Sequence, residues 1–298
     1  MRYLIFLVLF VFTTHLYAEC ASDQVRLQIL GSGGPELTDQ RASTSYLIWV
    51  GEQAQVLVDV GGGSSFNFEK SGAGFEDIKV IALTHLHVDH SADLPAYIKS
   101  SFFTPRVQDL KVFGPEGNGL MPSANTYVHN LVGSQGAFRY LDDYVSSKKR
   151  SRYKIKPFNV LLGQPRSSFV VDEIQLTAVP VHHGPIAAVA WRVDVQGCSL
   201  TFSGDMSNKF NVLSTLAKDT DILVAHNAIP EDERGFGRLL HMVPSAIGQI
   251  ANDANAKKLI LSHRMNRTLG REDETLQHVR AHYTGPVEFA NDLDEFSL

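Results

Sequence analysis

The run Thr84-His85-Leu86-His87-Val88-Asp89-His90 places three imidazoles and a carboxylate within one short turn. It follows the apolar stretch Lys79 to Leu83, which reads as a strand, so the whole group sits at a strand's end. Imidazole nitrogen and carboxylate oxygen are ligands for first-row divalent ions and suit zinc well. A lone histidine is ordinarily a packed or surface residue, whereas four ligating side chains within six positions are hard to explain as packing. His85 and His87, two apart, can point the same way from an extended turn and share one ion. Asp89 and His90 then face a second. The chain has 12 histidines but only two cysteines, Cys20 and Cys198, which excludes a zinc ribbon or a disulfide framework.

His-x-His-x-Asp-His after a strand resembles the signature of the metallo-β-lactamase superfamily. Further marks follow in order: His183 in Val179-Pro-Val-His-His-Gly-Pro185, Asp205 in Thr201-Phe-Ser-Gly-Asp205, and His263 in Leu259-Ile-Leu-Ser-His263. The resemblance starts at Leu30-Gly-Ser-Gly-Gly34 and Leu57-Val-Asp-Val-Gly-Gly62, and so covers nearly the whole chain. It implies an α/β fold, a four-layer αβ/βα sandwich with metals at the mouth between two sheets. Residue by residue, it implies that His85, His87 and His183 hold one ion, that Asp89, His90 and His263 hold the other, and that Asp205 bridges both. A carboxylate suits the bridge because its two oxygens can bind separate cations ~3.5–4 Å apart, while a neutral imidazole binds one. Of the adjacent His182 and His183, the second is taken as the ligand because Gly-Pro follows it. The implied cofactor is a pair of zinc ions, with manganese or iron compatible with the same ligands.

Within the superfamily the chain resembles the ribonuclease Z and arylsulfatase-like branch. The features that carry this are Gly31-Ser-Gly-Gly-Pro35, Thr84 to Pro95, Val112-Phe-Gly-Pro115, and His241 followed by a helix containing Ala246 and Ala251. The resemblance implies that His241 is a catalytic acid/base or phosphate contact rather than a ligand, and Asp89 and His241 are the residues assigned to catalysis. An ordinary imidazole titrates near ~6.5 and can protonate a leaving oxygen at neutral pH. Helix capping or packing is the alternative for His241. Where the branch has an acidic residue after the strand Asp221 to Ala225, this chain has His226-Asn227, so the carboxylate partner of His241 is missing. His226 is either a substitute partner or a structural residue at the strand end. The implied activity is that of an exported dinuclear-zinc hydrolase, which cleaves a phosphodiester or related ester through a metal-bridging hydroxide. Arylsulfatase-type or carboxylic-ester and lactone hydrolysis is the nearest alternative. Transfer-RNA processing of the ribonuclease Z type and a catalytically silent metal-containing binding protein rank lower.

Short β-branched runs predict strands at Val25 to Leu30, Ser45 to Val50, Gln55 to Val60 and Lys79 to Leu83. A meander is expected over Ser168 to Val179, Ala187 to Val195 and Ser199 to Phe202, then strands at Ile222 to Ala225 and Lys257 to Leu261. Helical spacing marks Ser91 to Ser101, Ser123 to Leu131, Asn208 to Lys218, Pro244 to Ala254 and Arg271 to His282. The turn-rich region from about 104 to 164 reads as an insertion within one domain spanning 19–298. Its basic run, Lys148-Lys149-Arg150-Ser151-Arg152, is most simply a solvated surface, with anion contact as the minority reading.

With 44% hydrophobic and 20% charged residues the chain is globular, which excludes wholesale disorder. A net charge of -5 supplies no basic field, so nucleic acid and anionic membrane are disfavoured and a small-molecule ester is the expected partner. A homodimer is left open. Arg2, the apolar run Leu4 to Phe12 and the sequence Leu16-Tyr17-Ala18 read as a signal peptide over 1–18, hence a periplasmic or secreted protein. That run is too short for an anchor, which needs ~20 apolar residues. In an oxidising compartment Cys20 and Cys198 can pair, or Cys198 can stay a buried thiol.

Overall fold

The computed structural model describes residues 20–298, and the expected signal segment lies outside the described residues. The first part of the chain supplies strands β1 (Val25–Gly31), β2 (Ser45–Val50), β3 (Gln53–Val58), β4 (Val80–Ala82), β5 (Leu110–Pro115) and β6 (Ile155–Val160). The second supplies β7 (Ser167–Val171), β8 (Ile174–His183), β9 (Ile186–Val195), β10 (Cys198–Phe202), β11 (Ile222–His226), β12 (Lys258–Ser262), β13 (Val287–Phe289) and β14 (Glu295–Ser297). They form two seven-stranded sheets, ordered β14-β1-β2-β3-β4-β5-β6 and β13-β12-β11-β10-β9-β8-β7. Helices α1 (Ser64–Ser71), α2 (Val88–Ser91), α3 (Leu94–Ser100) and α4 (Ala124–Val132) accompany the first sheet. Helices α5 (Leu213–Leu216), α6 (Gly237–Leu240), α7 (Pro244–Asp253) and α8 (Glu272–Arg280) accompany the second.

Alternation along the strands explains why the sheets stack. Tyr46, Ile48, Val56 and Val58 face Trp191, Leu200, Phe202, Val224 and Ile260 of the opposite sheet in one central core. Their sequence neighbours Leu47, Trp49 and Leu57 turn the other way, onto Phe68, Tyr97, Ile98 and Val128 of the first helical layer. On the far side Leu223, Leu259 and Leu261 pack on Leu213, Ile247, Ile250 and Val279. Three apolar interfaces separate four layers, the expected αβ/βα sandwich. A strand buried on both faces has no polar side, which is why these runs are continuously apolar.

Strands β7 to β10 form an antiparallel meander as expected, except that the run Ser168 to Val179, expected as one strand, is broken at 172–173 into the hairpin β7-β8. The region from 104 to 164 is corrected: it contains β5 and β6, both hydrogen-bonded in parallel into the first sheet, so it is not an insertion. The segment between these two strands, with α4, is what projects from the sheet. The helix expected over Asn208 to Lys218 shrinks to the four residues of α5. Among the described residues no helix is long and apolar enough to cross a membrane. Cys20 and Cys198 form a disulfide.

Functional geometry follows from the parallel strands. In β3-β4 and in β10-β11-β12 all carboxyl ends point to one edge of their sheet. The two edges meet, joined by Val189 N donating to Thr84 O at 2.8 Å and Trp191 Nε1 donating to Leu83 O at 3.0 Å. Loops leaving the carboxyl ends of parallel strands are the usual place for a site in such sheets.

Candidate metal centre

The turn after β4 carries His85 and His87, and Asp89 and His90 lie in the first turn of α2. His183 closes β8, Asp205 follows β10, and His263 follows β12. One group of ligand atoms comprises His85, His87, His183 and Asp205, and a second comprises His90, Asp205, His226 and His263. Asp205 belongs to both. Its Oδ2 lies 3.9 Å from His85 Nε2, 3.7 Å from His183 Nε2 and 3.6 Å from His90 Nε2, and its Oδ1 lies 3.3 Å from His263 Nε2. Asp89 is in neither group, but its Oδ2 lies beside the second, 3.3 Å from His263 Nε2 and 3.6 Å from His90 Nε2. His87 Nδ1 faces His183 Nε2 at 3.4 Å. Zinc with bonds of ~2.0–2.1 Å in a tetrahedral shell separates its ligand atoms by roughly 3.3–3.4 Å, so these spacings suit shared cations.

The unpaired atoms point the same way. His85 Nε2, His90 Nε2 and His263 Nε2 are buried without a hydrogen-bond partner. Orphaned buried nitrogens are costly, and three of them converging on one carboxylate fit a missing positive charge. The opposite ring atoms of His85, His90 and His183 are held, whereas His263 Nδ1 has no partner either. His90 Nδ1 donates to Asp59 Oδ2 at 2.7 Å and His183 Nδ1 donates to Leu240 O at 2.9 Å, while His85 Nδ1 lies 3.2 Å from Thr84 Oγ1. Such hydrogen bonds fix the tautomer that leaves Nε2 free for a metal. His182 instead bonds Ser207 Oγ at 2.7 Å, so His183 is the one that enters the cluster.

Two glycines allow the close approach. A Cβ on Gly34 would sit 2.7 Å from His263 Cε1, so the Gly31-Ser-Gly-Gly-Pro35 loop can cover that ring only without a side chain. Gly204, at φ 57°, brings Asp205 out of β10, and a Cβ there would meet Thr84 Cβ at 2.8 Å.

Charge is distributed unevenly. Burial lowers the pKa of His85 and His183, keeping both neutral as metal ligands must be. Burial also acts on His90, but Asp59, Asp89 and Asp205 outweigh it and raise the imidazole well above its ordinary value. In the metal-free chain this proton stands in for an ion. Asp89 feels burial first, yet His90 and His263 overcome it and lower the carboxyl to about 2.

The structure corrects the expected state of His241. Its Nδ1 lies 3.7 Å from Asp205 Oδ1 and has no hydrogen-bond partner. Burial pushes its pKa down to about 3, so in the metal-free chain it is neutral at neutral pH. His226 does not pair with His241 either. Its Nδ1 bonds Asp205 Oδ1 at 2.8 Å and its Nε2 bonds the Tyr46 hydroxyl at 2.9 Å, which uses both ring nitrogens. It orients the shared carboxylate. Sequence reading missed this Tyr46-His226-Asp205 chain and the role of Asp59. The signal for Asp59 was present: a lone acid ending an apolar strand needs buried partners, and it receives Thr84 N and Thr84 Oγ1, both at 2.7 Å.

Fold and ligand set together define a metal-dependent hydrolase with a two-sheet core. The family model described as Metallo-beta-lactamase superfamily matches residues 38–242, and the chain belongs to that superfamily. It is 26% identical over 307 residues to the Ribonuclease Z of Streptococcus equi subsp. equi, covering 91% of this chain and 99% of the relative. Among solved structures it resembles the metallo-beta-lactamase fold protein YhfI from Bacillus subtilis, with a TM-score of 0.72, 18% identity and coverage of 92% and 99%. The short form of human tRNase Z superposes with a TM-score of 0.69 at 19% identity, covering 91% and 98%. Those names count against the expectation that nucleic acid is disfavoured as a partner.

Proposed function

We propose that this protein is an exported dinuclear-zinc hydrolase that cleaves a phosphodiester or a related ester. The observation that carries the reading is the meeting of two ligand groups on the one carboxylate of Asp205, with buried imidazole nitrogens left unpaired around it. His85, His87 and His183 would hold one ion, Asp89, His90 and His263 the other, and Asp205 both. Bound there, two zinc ions supply Lewis acidity and a water that deprotonates near neutral pH. The chain's own residues do the rest. Asp59 and Leu240 O keep the rings of His90 and His183 in register, and His226 fixes the carboxylate they share.

His241 is left for the substrate. A phosphoryl or sulfuryl oxygen set against its free Nδ1 would favour the cationic ring and reverse the effect of burial. The proton is then available for the leaving oxygen, a step worth ~10²–10⁴-fold for a poor leaving group. Export is supported by the N-terminal apolar run and by the Cys20–Cys198 disulfide, since such bonds persist in oxidising compartments.

Metal-replete mature protein, assayed on bis-p-nitrophenyl phosphate, p-nitrophenyl sulfate, p-nitrophenyl acetate, a lactone and a precursor transfer RNA, tests the reading. Turnover should be greatest on the phosphodiester and vanish with chelator. Dominant sulfatase or esterase turnover would replace the substrate class. The relatives named Ribonuclease Z favour a second reading, an RNA phosphodiesterase, and specific cleavage of the transcript would install it.

A further inference from the structure

The basic run Lys148 to Arg152 is not merely solvated. Together with the end of α3 it borders a cleft of about 480 Å³ that shares no residue with the metal centre. Small-ligand sites typically enclose ~300–1,000 Å³. Cations dominate the lining: Lys99, Arg106, Arg150 and Arg152, against the single carboxylate of Asp143. That carboxylate already lies 3.5 Å from Lys149.

Arg106 is the unusual member, with 2% of its surface exposed. Its Nη1 donates to the carbonyls of Phe75 and Ile78, both at 2.7 Å. Those bonds explain how it holds the turn before β4. They do not explain Nε and Nη2, which are buried and have no partner. These two atoms form one edge of the guanidinium, the fork that takes a carboxylate, sulfate or phosphate through two parallel hydrogen bonds. A buried charge without an ionic partner is costly, and an oxyanion on that edge removes the cost.

The walls are aromatic. Tyr153 stacks on the Arg106 guanidinium at 4.9 Å, and the Lys99 ammonium lies 4.5 Å from the Phe102 ring and 5.9 Å from the Tyr140 ring, without a carboxylate partner. Phe102 and Tyr140 are 60% and 65% exposed, so ring surface is available to a ligand.

We propose that this cleft binds a small organic oxyanion carrying an aromatic ring, with the anionic head on the Nε–Nη2 edge of Arg106 and the ring against Phe102 and Tyr140. Carboxylate, sulfate and phosphate heads share the required chemistry. The probe is naphthalene-1-sulfonate, which has no ester bond to hydrolyse, with 1-naphthalenemethanol as its uncharged counterpart. Calorimetric titration of metal-loaded protein should show one saturable site for the sulfonate and at least about tenfold weaker binding of the alcohol. Arg106→Lys, which keeps the charge but loses the fork, should weaken the sulfonate about tenfold, and Arg150→Ser with Arg152→Ser should weaken it several-fold. His85→Ala should leave it unchanged. Absence of saturation at millimolar probe, equal binding of the alcohol, or loss of binding in His85→Ala alone would overturn the proposal. If Arg106→Lys fails to fold by circular dichroism, the exposed double variant decides, and unchanged affinity there overturns it.

Discussion

The two ligand groups that meet at Asp205 are built on different principles. His85, His87 and His183 contribute neutral rings, steadied by a threonine hydroxyl and a backbone carbonyl. Asp89, His90 and His263 include a carboxylate of their own, and Asp59 stands behind His90 as another. On the proposed assignment the first pocket would hold an ion by the placement of imidazoles, the second by charge. A cation in the first would therefore draw its negative charge from the shared carboxylate, whereas the second has a carboxylate of its own besides it.

Removing the shared group has the largest expected effect. Asp205→Ala should lose both ions and reduce hydrolysis to background, read by elemental analysis beside turnover. His85→Ala should empty the first pocket alone. Full retention of one ion in Asp205→Ala would show that the pockets are independent. Next comes Asp59→Asn, which keeps the shape but weakens the hold on the His90 ring. Affinity for the second ion should fall ~10–100-fold while the first changes little, as competition with a graded chelator would show.

Acid separates the contributions in the metal-free chain. Burial lowers His226 from 6.5 to about 4 and His241 from 6.5 to about 3. The unfolded chain takes up these protons near ~6.5 and the folded one does not, so stability falls as pH drops from there toward the lower values. His90 runs the opposite way: its raised value gives stability that is full below ~6.5 and is lost progressively as pH rises from there through the raised value. Thermal melts of chelated protein should show a falling Tm between pH 7 and 4, and a flat profile would contradict the assignment. The smallest effect belongs to Tyr46→Phe, which deletes the hydroxyl behind His226. A loss of about 1 kcal/mol is expected, with both ions kept.

The residues that gather at the candidate centre were legible because four of them fall in one turn and the others carried family marks at His183, Asp205 and His263. Their supports were not. Whether His226 faces His241 or Asp205 depends on the parallel pairing of β10 with β11, and no local pattern states which strands pair. Tyr46 read as one apolar residue in a strand, and its hydroxyl matters only because the sheets stack. Strands β5 and β6 were lost among turn signals. Strand β6 runs along a sheet edge with Lys156, Phe158 and Asn159 exposed, so its alternation is blurred. Helix α7 showed the opposite behaviour: Pro244 in its first turn and buried Ile247, Ile250 and Ala251 repeat the spacing that the sequence displayed.

The Cys20–Cys198 bond joins residues 178 positions apart, and it ties the start of the described chain to the turn between the two central strands β9 and β10. A ribosome makes the earlier thiol first. Until Cys198 emerges, Cys20 has no intramolecular partner and is open to mixed disulfides with small thiols or with an oxidoreductase. The bond can close only after β1 to β9 have been synthesised, so it records the assembly of the second sheet rather than guiding that of the first. In an oxidising compartment Cys198→Ser would therefore leave a chain with one permanently unmatched thiol at Cys20, prone to linking one molecule to another.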